Sequence, residues 1–263
     1  MWPSLIFIAA ISSLSVLPAP IKAIYGGKPA SIENFPYQIS LEHLGKHKCG
    51  GAIVSPNFVL TSANCVYKLN PVDLKIHFGA DKLTLGLHSS DPTSHYDVDN
   101  ILIHENFTHS KYDLHLNDVA LLHVKEPFKF DSTCQAVKLI DQAEFEKLQP
   151  GVLANVTGWG KNSESLQSEQ LQVAEVPFVD RETCAEVYDY IGFVTESHLC
   201  SGVWGEGGVS PCKGDEGGPL TINGQLVGLV MKSQCGHAFQ PDVYTSVAHF
   251  SKWILEHIDA HLA

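Results

Sequence analysis

Short apolar runs fenced by turn residues constrain this chain more than any other feature. GAIVS and FVLTS flank Pro56-Asn57, and NILIH, DVALLHV, LQVAEVPFV and QLVGLVM follow. Runs of this length, alternating or continuously β-branched, argue for strands. Helical periodicity enters once, at the end, where Val247, Phe250, Ile254 and Ile258 place an apolar stripe on VAHFSKWILEHI. Many short strands joined by Gly- and Pro-bearing loops put the chain in the all-β class, as a barrel or a sandwich. A crossover between two halves is expected at Asp131–Gln135.

The first 23 of the 263 residues read as a secretory leader. Leu5 to Leu17 is an apolar run of 13 residues, too short to span a bilayer, and small residues follow it near Ala23. The product is expected to be secreted and extracellular, with no membrane partner. All seven cysteines lie after the leader, in what is then an oxidising compartment, so disulfides are expected and one thiol is left over. The formal charge is −12, and Arg181 is the only arginine. A chain this acidic has no phosphate-neutralising stripe, which excludes nucleic acid as a partner. The 14 histidines are scattered, and the close pair His43 and His47 reads as solvated in a polar turn. Neither a metal nor a cofactor is expected.

Six motifs then occur in order: IYGGKPA at 24–30, CGGAIVSPNFVLTSANC at 49–65, NDVALLHV at 117–124, TGWG at 157–160, CKGDEGGPL at 212–220 and PDVYTSV at 241–247. Through them the chain resembles the chymotrypsin-fold serine proteases from Ile24 to its end. PYQISL at 36–41 and VDRETCAEVY at 179–188 resemble the mite trypsin-like allergen branch of that family. The resemblance implies two six-stranded antiparallel barrels, 24–132 and 133–246, within one domain at 24–263, with a C-terminal helix at 247–260. It also implies the disulfides Cys49–Cys65, Cys184–Cys200 and Cys212–Cys235. Cys134 is left unpaired, either as a buried inert thiol or as the bridge of a dimer of an otherwise monomeric protein.

In such proteases the loop before Gly-Gly-Pro presents a serine nucleophile; here the position is Glu216. The TAAHC-type segment supplies the histidine base; here it is TSANC, and the position is Asn64. The aspartate that orients the base is kept as Asp118. Acyl transfer by this route needs a hydroxyl whose proton an adjacent base removes, and a carboxamide does not titrate near neutrality. The sequence therefore predicts a chain that is no enzyme. Glu216 and Asp118 as a glycosidase-like acid/base pair find no sugar-binding aromatic cluster beside them. The oxyanion donors would be the backbone N–H groups of Gly214 and Glu216, and the Glu216 carboxylate is expected either to fold back onto them or to project into the cleft.

The substrate wall is altered as well. Met231, Lys232 and Ser233 stand where the family has Ser-Trp-Gly, so Met231 removes a hydroxyl that supports the aspartate. Asp242 replaces a pocket-wall glycine, and Ser210 lies at the pocket base. Occlusion of the pocket is expected over tuning. Ile24, freed by a cut after Ala23, is expected to pair with Asp215, although Tyr25 is bulkier than the usual valine. Asn106-Phe-Thr and Asn155-Val-Thr are glycosylation sequons, Asn155 the less accessible.

The function expected is that of a secreted binding protein or decoy for a protein ligand, a component of a host defence cascade such as complement. An altered hydrolase and a regulator of an arthropod's own immune cascade are the alternatives. Binding is expected on the loops 88–99, 104–116 and 202–209, which are long, polar and carry aromatics.

Overall fold

The computed structural model describes residues 24–83, 95–110, 114–161, 167–188, 194–203, 205, 207–233 and 235–261. The leader lies outside them, as do parts of the three loops. Strand β1 (Lys28–Pro29) comes first. β2 (Gln38–His43), β3 (Lys46–Ser55), β4 (Phe58–Thr61), β5 (Leu74–Phe78), β6 (His95–Ile103) and β7 (Ala120–Val124) follow, with the short helix α1 (Ala63–Val66) after β4. These six strands close a barrel in the order β2-β3-β4-β7-β6-β5.

The second half carries β8 (Lys138–Leu139), helix α2 (Gln142–Phe145), β9 (Leu153–Gly158), β10 (Gln172–Val179), helix α3 (Arg181–Tyr188), β11 (His198–Ser201), β12 (Pro219–Ile222), β13 (Gln225–Lys232), β14 (Asp242–Ser246) and helix α4 (Val247–Ala260). Strands β9 to β14 form the second six-stranded antiparallel barrel, closed by the pairing of β9 with both β10 and β12. Two barrels with a C-terminal helix are the architecture that the resemblance implies. No described helix is long and apolar enough to cross a membrane.

Alternation fills the barrels. Ile39 and Leu41 on β2 and Ile76 on β5 point into the first core with Ile53, Val59 and Leu122. Val156, Val176, Leu199, Val227, Val230 and Tyr244 fill the second. A third cluster joins the barrels: Phe58, Leu60 and Leu121 meet Leu226, Leu229 and the α4 stripe of Val247, Phe250, Ile254 and Ile258. Each such side chain stabilises by roughly 1.5–3 kcal/mol on burial, which is why the helix docks where its stripe faces. The segment after Ile24 crosses to the second barrel. Tyr25 exchanges backbone hydrogen bonds with Ser210, β1 pairs with β10, and Ile24 is buried among Ile140, Val156 and Leu220.

All three implied disulfides are formed: Cys49 to Cys65 (β3 to α1), Cys184 to Cys200 (α3 to β11) and Cys212 to Cys235. Cys134 is a buried free thiol in the connection between the barrels, and burial pushes its pKa up to about 12. Asn106 is exposed, while Asn155 is half-buried within β9, between Glu175 and Thr221. Residues 95–99 of the first expected binding loop belong to strand β6, and its remainder, 88–94, lies outside the described residues.

Candidate active site

The loop 212–218 is held from three sides. Turn bonds run from Asp215 N–H to the Cys212 carbonyl and from Gly218 N–H to the Asp215 carbonyl. Gly50 N–H of the first barrel donates to the Glu216 carbonyl at 2.8 Å, and Gly217 N–H donates to Val230 at 2.7 Å. Gly217 has φ +74°, and a Cβ there would lie 2.2 Å from Thr61 Oγ1, so only glycine permits this approach of the two barrels. The loop geometry therefore does not depend on which side chain position 216 carries.

Of the two placements expected for the Glu216 carboxylate, the structure takes the first. Oε2 accepts a hydrogen bond from Gly214 N–H at 2.6 Å. Burial pushes the carboxyl pKa up, and the donors at Glu216 and Gly214, with the charges of Lys213 and Lys48, pull it back only in part. Asn64 and Glu216 line the same depression of about 290 Å³, with Lys48, Lys161, Lys213 and His47. A larger cavity of about 590 Å³, between α2, α3 and His249, includes none of residues 64, 118 and 216. The smaller depression is where the reactive groups converge.

Asp118 is buried and fully supported. Asn64 N–H donates to Oδ1 at 2.7 Å, and the Ser62 hydroxyl donates to Oδ2 at 2.6 Å. Met231 packs with Leu114, Tyr188 and Val243. Ser62, two residues before Asn64 in the TSANC segment, supplies the hydroxyl that supports Asp118. Burial raises the Asp118 pKa, with Ser62 and Asn64 opposing. An imidazole, His115, is also in electrostatic reach of Asp118, and burial keeps its pKa low.

The residues expected to line a specificity pocket form one hydrogen-bonded group. Ser210 Oγ lies 2.8 Å from Asp242 Oδ1 and 3.1 Å from Ser233 Oγ, and the Ser233 hydroxyl donates to the Pro211 carbonyl. Asp242 is 2 % exposed. The ammonium of Lys232 lies 6.0 Å from the centroid of the Tyr188 ring instead of presenting an aromatic platform. Asp215 accepts from Gly160 N–H at 2.8 Å and from Cys212 N–H at 2.9 Å, and burial pushes it up to about 7. Tyr25 does not prevent the docking of the Ile24 segment, because its ring lies against Gly236, where no Cβ is present.

His47, read as solvated, is instead an internal strut. Nε2 lies 2.8 Å from the Gly214 carbonyl and Nδ1 lies 2.7 Å from Ser40 Oγ. A carbonyl only accepts, so Nε2 carries the proton, and burial holds the ring below its ordinary pKa. Glu42, His77 and His95 converge on one spot as well. Their spacing in the chain gives no metal-ligand signal, because cross-strand register, not sequence, brings them together.

Comparison with known proteins agrees with this architecture. A model of the family described as "Trypsin" matches residues 24–254. The chain is 34 % identical to a vitellin-degrading protease of Bombyx mori over 89 % of this chain and 85 % of that one. It is 36 % identical to Trypsin Blo t 3 of the mite Blomia tropicalis over 88 % of this chain and 84 % of that one. It is 33 % identical to Trypsin zeta of Drosophila melanogaster over 89 % and 85 %. These findings overturn the expectation that the chain is no enzyme: its relatives across nearly nine tenths of its length are named as trypsins and proteases, and it stands with them. The side chains at 64 and 216 bear on the route of hydrolysis and not on the class. A hydrolytic step here would use groups other than a serine hydroxyl and a histidine imidazole at those two positions.

Proposed function

We propose that this chain, which belongs to the trypsin family, is an exported protein that recognises a protein component of a host proteolytic defence cascade, such as complement. The observation that carries this is the Glu216 carboxylate on Gly214 N–H. That carboxylate and the hydrogen-bonded group of Ser210, Ser233 and Asp242 narrow what the cleft itself can read in a polypeptide. Recognition then falls to the rim, where loops vary on a rigid scaffold. Purified complement components immobilised on a sensor surface test the proposal, together with inhibition of complement haemolysis. Dose-dependent inhibition that is lost on grafting a relative's sequence into 104–116 or 202–209 supports it. Inhibition unaffected by both grafts but abolished by Glu216→Ala would move recognition into the cleft and sink the rim assignment.

A second reading, an altered hydrolase, rests on a different observation. The supported Asp118, an imidazole at His115 in its electrostatic reach and the preserved loop form a polar centre among named proteases. Digestion of a peptide library, followed by mass spectrometry, checks it. Cleavage at a defined residue that Asp118→Ala abolishes supports the reading, and an undigested library refutes it.

A further inference from the structure

Outside the cleft, one cluster brings metal-ligating side chains together. Glu42, His77 and His95 lie on the neighbouring strands β2, β5 and β6 of the first barrel. His77 stands directly opposite His95 across β5–β6 and directly opposite Ser40 across β2–β5. Glu42 is two residues beyond Ser40, so period-2 alternation puts all three ligand-type side chains on one face. His77 Nδ1 and His95 Nε2 are 3.0 Å apart, His95 Nε2 is 3.5 Å from Glu42 Oε2, and His77 Nδ1 is 4.0 Å from Glu42 Oε1. The side chains of His77, His95 and Glu42 are 5 %, 11 % and 14 % exposed, so this is no solvated histidine pair.

His95 Nε2 faces both an imidazole nitrogen and a carboxylate oxygen. One ligand atom from each of the three residues lies within 4.8 Å of the others, a spacing that a shared cation can bridge. Two imidazole nitrogens with one carboxylate oxygen suit zinc, with a fourth position left for water. The separations of 3.0 Å and 3.5 Å about His95 Nε2 lie near the ligand-to-ligand separations around an ion with bonds of about 2.0–2.2 Å, and the 4.0 Å contact of His77 is to the other carboxylate oxygen.

We propose that Glu42, His77 and His95 form a zinc-binding site that ties β2, β5 and β6 together. The site also reaches the cleft. Glu42 stands directly opposite His47 across β2–β3, and His47 bonds the carbonyl of Gly214, whose N–H holds Glu216.

Calorimetric titration of the metal-free protein with zinc chloride tests the site, paired with cobalt substitution read in the visible spectrum. One equivalent binds, the cobalt form shows the intense absorption of a four-coordinate ion, and zinc raises Tm. His95→Gln and Glu42→Gln each weaken binding about tenfold or more, while His249→Gln, at an exposed position, does not. Because His95 and Glu42 retain some exposure, two variants guard against a folding defect in one. The proposal is overturned by the absence of a one-to-one complex at micromolar zinc. It is equally overturned by binding that survives both substitutions, or by a weak cobalt spectrum typical of six-coordinate surface ions.

Discussion

Oε2 of Glu216 lies 2.6 Å from the backbone nitrogen of Gly214, so the loop's own side chain holds a donor two residues before it. A hydrogen bond to a charged group contributes about 1.5–3 kcal/mol. The Gly214 amide is therefore expected to exchange with solvent about tenfold or more slower in the wild type than in Glu216→Ala. Hydrogen exchange followed by NMR measures it, and equal rates would show that the carboxylate does not occupy this donor in solution.

Residue 216 offers a carboxylate and not a hydroxyl. Serine-directed fluorophosphonates are therefore expected to leave the intact mass unchanged, and any hydrolysis of peptide or ester substrates to be insensitive to them. A mass adduct mapped to the cleft contradicts this.

Glu216→Ser with Asn64→His rebuilds a nucleophile and base on a frame that already holds Asp118 through Ser62 and the backbone of residue 64. The residues expected at the pocket base, Ser210, Asp242 and Ser233, stay bonded to one another. Turnover of a chromogenic peptide is expected to remain low in this double variant and to rise, mainly through KM, when Asp242→Gly and Ser233→Gly are added. Family-like turnover in the double variant alone would show that the pocket opens unaided.

Gly160→Ala puts a Cβ 2.4 Å from Asp215 Cγ, in a buried region where the carboxylate is fixed by two backbone donors. Overpacking of this kind costs about 1–3 kcal/mol. Denaturant unfolding is expected to show a loss of that order, and a loss below about 0.5 kcal/mol would mean that Asp215 is free to move.

Asp215 also sets a pH dependence. Its folded pKa, about 7, stands above the ordinary carboxyl value. A raised folded pKa means that the proton is held more tightly in the folded chain, so this contribution is full below about pH 4 and is lost as pH rises through about 7. In the uncut chain Ile24 carries an amide, and its φ of +49° is strained for a β-branched residue. A chain beginning at Ile24 has no such φ and supplies a protonated amine. The Tm difference between wild type and Asp215→Asn is expected to turn against the wild type between pH 4 and 7 in the uncut protein, and to flatten in the protein that starts at Ile24. Parallel Tm curves for the two forms would rule out an Ile24–Asp215 pair.

The sequence by itself determined the all-β class, through short apolar runs and turn residues, and the α4 stripe through its 3.6-residue period. It also determined what stands at 64, 118 and 216, because local motifs carry those positions without reference to the rest of the chain. Only the tertiary structure decided where the charges go. That the Glu216 carboxylate turns back on Gly214 depends on the φ of a loop held between two barrels. That the Ser62 hydroxyl supports Asp118 depends on two segments 56 residues apart in the chain meeting in the fold. The pocket base joins residues 32 apart. Glu42, His77 and His95 looked scattered because a ligand set drawn from three strands is fixed by their hydrogen-bond register, and period-2 alternation in one strand says nothing about which residue of the next strand stands opposite it.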